Sequence, residues 1–348
     1  MKRLKFNLSE KYEVVLDANL LDRLGEELAL VAKPCKVMVV SDDCVKELFG
    51  DRVEAALSVG GYETHFYTFP QGEGSKTLAT VSSLAAALSD RLFTKTDLLV
   101  GLGSGVAMDI AAMTASLYYR GMRHVFVPTT LTAAIDAAIG GKIGINENGV
   151  KNLLGGFYQP IGVYVDTQIL SELKRSVFMH GMAVAIKYAF VGDKKLFDYL
   201  KTGKIDLEEV VYRCIQLKYR YIKRDEDESG RRILLDYGHT FGNAIERLSG
   251  YTLSHGESVG IGMVVSAKIS ENLFLQEGMS AALEEALAQY GLPAKCEYTA
   301  EQIYEASITD KKRSGEYMGL VLTKKIGKAS LMRVETEKFR ELIKLGIS

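Results

Sequence analysis

The chain has 348 residues, 47% of them hydrophobic and 25% charged, with a formal net charge of −1. That length exceeds one ordinary core and predicts two domains, while a near-zero charge supplies no overall field for nucleic acid or an anionic membrane surface. The four cysteines (Cys35, Cys44, Cys214 and Cys296) form no CxxC pair, no signal-like or membrane-spanning apolar run occurs, and a cytoplasmic compartment is expected.

Residues 4–15 alternate polar and apolar, which predicts a hairpin-like start, and 20–31 have helical spacing. A β-branched run at 36–40 ends in Ser41-Asp42-Asp43. Acids at such a strand end suit either a ribose hydroxyl pair or a helix cap. Residues 63–69 read as a second strand, closed by a glycine-rich turn that holds Glu73 and Lys76, and 77–88 as a helix. The strand at 97–100 runs into Gly101-Leu-Gly103-Ser104-Gly105 and then a helix with Met108 and Asp109. A strand, glycine turn and helix present backbone amides to a pyrophosphate. The match to the dinucleotide fingerprint is imperfect and lies in the third strand unit. A further strand at 124–127 precedes Pro128-Thr129-Thr130. This alternation predicts a parallel, doubly wound α/β sheet with ligands at its carboxyl edge.

Residues 136–160 carry Lys142, Asn146, Lys151 and Asn152 on a glycine-rich, partly mobile segment, a candidate anion clamp. A last strand is expected at 162–165. Helical spacing then dominates at 170–201, 206–224, 236–249, 255–275, 279–290 and 300–309. The domains are therefore placed at 1–168 and 169–348. Within the second, Asp236-Tyr-Gly-His239 and His255-Gly-Glu257 hold two of the chain's five histidines. Neutral imidazoles on neighbouring helices could supply half of a zinc site, and two unrelated helix-end histidines are the plainer alternative.

Eight pieces follow one another in order: Arg120-Gly, Pro128-Thr-Thr-Leu, Asp136 with Gly-Gly-Lys142, Lys151-Asn152 before Gly-Gly-Phe-Tyr-Gln-Pro, Ile186-Lys187-Tyr188, Gly238-His239-Thr, His255-Gly-Glu and Asp310-Lys-Lys. Together they resemble the 3-dehydroquinate synthases and the wider sugar-phosphate cyclase family over nearly the whole chain. The resemblance implies a Rossmann-like N-terminal domain holding NAD and an all-helical C-terminal domain holding a divalent metal, zinc or cobalt. It implies NAD contacts from Asp42, Glu73, Lys76, Gly105, Asp109, Thr129, Thr130, Asp136 and Lys151. Substrate or catalytic contacts are implied for Lys142, Asn152, Lys187, Lys218, Glu228, Arg232, Lys311 and Lys312. Arg120 would come from the partner subunit of a homodimer, and His239 and His255 would bind the metal. The implied substrate is a small sugar phosphate, a phosphorylated seven-carbon acid sugar. NAD takes a hydride and returns it within each turnover, while phosphate leaves and the opened sugar closes into a carbocycle.

The sequence also departs from the family pattern. A glutamate metal ligand is usual where this chain has Val184, Asn-x-Gly-His is here Asp236-Tyr-Gly-His239, and a histidine is replaced by Asn243. Ser104 and Met108 stand where glycine is usual, and Met108 is expected to add bulk beside the pyrophosphate. Asp236 and His180 are candidate replacements for the missing carboxylate. A cyclase for another sugar phosphate, an alcohol dehydrogenase of the glycerol dehydrogenase kind and a catalytically silent relative are the competing readings.

Overall fold

Apolar runs such as Val37-Met-Val-Val40 and Leu98-Leu-Val100 are fully buried, as the strands of a parallel sheet covered on both faces must be. The computed structural model describes residues 1–308, 313–314 and 316–347, in two units, Met1–Lys174 and Arg175–Ser348.

The first unit contains, in chain order, β1 (Lys2–Asn7), β2 (Lys11–Asp17), α1 (Leu24–Ala29), β3 (Lys36–Asp42), α2 (Asp43–Val59), β4 (Glu63–Phe69), α3 (Leu78–Asp90), β5 (Leu98–Gly103), α4 (Gly105–Leu117), β6 (Arg123–Pro128), β7 (Lys142–Glu147), β8 (Val150–Phe157), β9 (Gly162–Asp166) and α5 (Thr167–Ser171). Seven of the strands form one sheet in the order β1-β2-β9-β6-β5-β3-β4. β1 and β2 pair antiparallel as the opening hairpin, and the other pairings are parallel. Numbered from β3, the parallel strands lie 2-1-3-4-5, a doubly wound order whose ligand crevice opens between the first and third strands. A glycine turn in the third strand unit is therefore in the right place. Alternate residues face opposite ways: Val37, Val39 and Val100 pack with Leu24 and Leu57, while Met38, Val40 and Leu99 pack with Leu84 and Ile110.

The middle of the 136–160 segment is not a loop. β7 and β8 pair as a separate antiparallel ribbon, so close that a Cβ on Gly155 would lie 2.3 Å from the Ile143 carbonyl oxygen. Every residue of β8 is exposed, which hid the strand from a reading based on burial pattern.

The second unit is built of α6 (Arg175–Gly192), α7 (Lys194–Lys201), α8 (Leu207–Ile222), α9 (His239–Leu248), α10 (His255–Phe274), α11 (Met279–Gln289) and α12 (Ala300–Ser307). It then adds β10 (Arg313–Ser314), β11 (Tyr317–Lys325), β12 (Lys328–Glu335) and α13 (Thr336–Ile347). Helices dominate, as expected, but the unit is not helical throughout, because β10, β11 and β12 form an antiparallel sheet. Four successive buried residues, 320–323, break the alternation of β11 and conceal it from periodicity. The single helical stretch expected at 170–201 is interrupted at Asp193, whose carboxylate accepts the Leu196 amide at 3.0 Å and starts α7. Phe241, Ile245, Ile261 and Val265 pack with Leu320, Phe339 and Ile343 to make the core.

Candidate active site

Asp42 ends β3, and its Oδ1 accepts the Val45 amide at 2.9 Å, which makes it the cap of α2. The other oxygen faces the glycine turn: a Cβ on Gly103 would lie 3.8 Å from Oδ2. Gly103 has φ +144 and leaves 3.0 Å between such a Cβ and Ala107, so the turn is shaped for backbone alone. Ser104 precedes α4 without a side-chain cap, leaving the first helical amides to an anion. Thr129 donates its amide to the Gly103 carbonyl at 2.9 Å, and the Thr130 hydroxyl accepts from Ala133 at 3.2 Å. Asp136 lies in the π-helical turn Ala133–Ala137. Gly105 opens α4, where a Cβ would meet Ala137 at 3.2 Å. This cradle fits a dinucleotide. Met108 is 1% exposed, so its bulk is packed into the interior and not laid over the turn.

A polar network ties this edge to the ribbon. Lys76, 6% exposed, donates to Asp109 Oδ2 at 2.5 Å and Asn152 Oδ1 at 2.6 Å. Asp109 Oδ1 accepts the Gly144 amide at 3.1 Å. Asn146 donates its amide to the Lys76 carbonyl and its side-chain Nδ2 to Glu73 Oε1, both at 2.8 Å, and accepts the Asn152 amide at 2.8 Å. Burial pushes the Asp109 carboxyl above the ordinary carboxylate value, against the pull of Lys76 and the Gly144 amide. Glu73, Lys76, Asp109 and Asn152 thus meet, as four of the sequence candidates. Asn146, the hub, had been grouped only with the clamp residues. Lys142 starts β7 and Lys151 sits on exposed β8.

In the second unit α9 and α10 cross closely because glycines line the seam. A Cβ on Gly262 would come within 2.3 Å of the Gly238 carbonyl oxygen, and one on Gly242 within 2.9 Å of Val259 Cα. The crossing sets the His239 and His255 rings 5.3 Å apart, edge to face. His255 Nδ1 lies 3.1 Å from Glu246 Oε2, and His239 Nδ1 lies 3.3 Å from the Tyr237 carbonyl oxygen. With Nδ1 protonated toward these acceptors, each ring would turn its Nε2 lone pair to a metal, the orientation common among metal-binding histidines. Glu246 is a functional candidate the sequence reading left without a role; it stands seven residues after His239, two turns along the same face. Glu257 completes a capping box with Ser254.

The donor set fits a divalent cation through two imidazoles only. Val184 is buried at 8% exposure and offers no donor. His180 packs against Gly256 beside His255, where a Gly256 Cβ would lie 3.2 Å from the His180 Cβ. Among the described residues, Asp42, Asp43 and Cys44 alone form a three-ligand group within 4.8 Å, so neither His180 nor Asp236 completes the histidine pair in this arrangement.

Lys187 on α6, Lys218 on α8 and Arg232 are 2%, 4% and 1% exposed. Arg232 is positioned by Asp225, whose Oδ2 accepts the amides of Arg232 at 2.5 Å and Gly230 at 3.0 Å. Burial raises the Asp225 carboxyl, but these donors and Ser229 outweigh it and hold the group below the ordinary range. Glu228 sits in this turn with φ +61. Arg120 is exposed, with φ +60 ahead of Gly121. Lys311 and Lys312 lie outside the described residues.

Residues 66–180 match the family described as 3-dehydroquinate synthase N-terminal, and residues 181–313 the one described as 3-dehydroquinate synthase C-terminal. A 3-dehydroquinate synthase of Streptococcus sanguinis is 34% identical over 343 residues, which is 96% of this chain and 97% of that protein. Among solved structures, 2-epi-5-epi-valiolone synthase from Streptomyces hygroscopicus, with NAD+ and Zn2+ bound, has a TM-score of 0.87 at 26% identity over 99% of both chains. 2-Deoxy-scyllo-inosose synthase, complexed with carbaglucose-6-phosphate, NAD+ and Co2+, has a TM-score of 0.88 over the same coverage; at 24% identity that likeness concerns the fold alone.

Proposed function

This chain belongs to the 3-dehydroquinate synthase family, and from that membership we propose that it converts a phosphorylated seven-carbon acid sugar (DAHP) into 3-dehydroquinate, with loss of phosphate and with NAD recycled in each turnover. It is a lyase-type enzyme in this reading. Bound NAD would supply a transient oxidation of a substrate carbinol, and a divalent metal held by His239 and His255 would supply Lewis acidity for that hydroxyl.

The chain's own groups do the positioning. The outer oxygen of Asp42 would hold the ribose of the dinucleotide, and the amides at the start of α4 would hold its pyrophosphate. Glu73, Lys76, Asp109, Thr129, Thr130, Asp136 and Lys151 frame the rest of the cofactor. Lys142 and Asn152 hold the departing phosphate, joined by Lys311 and Lys312 and by Arg120 of a second copy in a homodimer. Lys187 and Arg232 would receive the carboxylate, with Lys218 and Glu228 as further substrate contacts. The observation that carries the reading is the burial of Lys187, Lys218 and Arg232 in one unit. Three cationic side chains held inside one unit suit an anionic substrate better than a neutral alcohol. Val184 favours a second reading, a relative that binds NAD and lacks turnover.

The deciding experiment is incubation of the purified protein with NAD, zinc or cobalt and the acid sugar phosphate. Phosphate release with NAD unchanged at the end supports the cyclase. Accumulating NADH would indicate a dehydrogenase, and bound NAD with neither product would indicate the silent relative.

A further inference from the structure

The second unit holds a cavity of about 620 Å3 that the proposed reaction does not use. Arg220, Lys223, Arg224, Arg231 and Lys328 line it, and no acidic residue does among the described residues. None of these five cations takes part in an ion pair among the described residues; Lys223 rests over the Tyr219 ring at 5.9 Å. The carboxylate that Arg220 acts on, Asp193, is already bonded by Arg213 at 2.9 Å.

The end of α8 explains only part of this cluster. A helix C-terminus carries about half a negative charge, and its carbonyls here already accept backbone amides: Tyr219 from Lys223 at 2.9 Å and Tyr221 from Arg224 at 3.2 Å. All five are exposed, so solvent screens their mutual repulsion, and an anion seated among them would meet several charged donors at once. Most of the remaining lining is apolar or aromatic, with Val191 and Leu217 buried and Leu234 and Tyr221 in the same wall, and Ser330 adds one hydroxyl. Such a floor suits a ring or carbon skeleton, arginine forks suit phosphate oxygens, and the volume is that of a metabolite site.

We infer that this cavity binds a small phosphorylated metabolite carrying two or more phosphates, such as a nucleoside diphosphate. Three segments that line it also carry the buried cations. Arg231 precedes Arg232, Leu217 precedes Lys218, and Val191 lies four residues after Lys187 on α6. Occupancy therefore bears on the segments that hold those cations, a regulatory consequence that rests on the proposed function; the binding itself does not.

The test is calorimetric titration of the full chain, saturated with NAD at near-physiological salt, with ADP and with inorganic tripolyphosphate. Binding of both by the wild type is expected. Arg224→Glu/Lys328→Glu, both exposed, is expected to weaken binding at least tenfold without lowering the melting temperature, while Lys218→Ala leaves it within twofold. Equal binding by wild type and the charge-reversed variant overturns the inference, as does loss of binding in Lys218→Ala. Binding of RNA or anionic vesicles without ADP or tripolyphosphate overturns it too. Phosphate release from the acid sugar phosphate is read separately, so binding without turnover would sink the proposed function and leave this site standing.

Discussion

An apolar residue at 184 limits how tightly the histidine pair can hold a cation, because two neutral imidazoles supply neither a third bond nor a negative charge. Val184→Glu is expected to raise zinc or cobalt affinity at least tenfold in a chelator competition, with the thermal melt reporting on folding. An unchanged affinity would mean that the side chain at 184 does not reach the ion. A second residue contributes to the loss of stability in acid. His124 is 1% exposed, meets the rings of Phe126 and Tyr158, and has no hydrogen-bond partner at either ring nitrogen among the described residues. Burial lowers its pKa from 6.5 to about 3. Between these values the unfolded chain takes up a proton that the folded chain refuses. The contribution of His124 is therefore complete above about pH 6.5 and falls on acidification, by up to about 1.4 kcal/mol per pH unit, until about pH 3. His124→Phe is expected to flatten that limb in urea melts taken across the range; an unchanged slope would assign it to other groups.

The crossing of α9 and α10 depends on what its glycines lack. Gly262→Ala would place a methyl 2.3 Å from the Gly238 carbonyl oxygen and 2.5 Å from the Gly242 amide nitrogen. Both neighbours are backbone and cannot swing away, so the expected cost is about 3 kcal/mol, with a parallel loss of metal affinity as the imidazoles part. A melt unchanged within error would refute the tight seam. Elements of this kind were unevenly legible in the sequence. Helices and buried strands announced themselves through apolar spacing, as at Val37-Met-Val-Val40. The β7–β8 ribbon did not, since it is held by glycine approach and by Asn146, neither of which leaves a hydrophobic pattern. Glu246 was readable in principle from its two-turn spacing to His239, but nothing in the sequence says that the neighbouring helix brings His255 to it. The choice between cap and ribose ligand at Asp42 was likewise local geometry: one oxygen is committed to Val45, and the other is not settled by sequence.

At the scale of the whole molecule, a net charge of −1 conceals strong local separation. Positive charge gathers at the buried trio of Lys187, Lys218 and Arg232 and around the outer cavity, while acids are spent on caps and pairs such as Asp42, Asp193 and Glu257. Global charge supplies no general attraction to nucleic acid, yet it could not show where small anions would be held. The glycine seam reaches further than packing. It makes α9 and α10 poor ground for sequence drift, since any side chain gained there separates the two imidazoles. α6, which meets α10 at His180 and Gly256, keeps larger side chains and can exchange them. A lineage can therefore rewrite the donor at 184, and with it the chemical repertoire of the protein, while inheriting the histidine pair untouched.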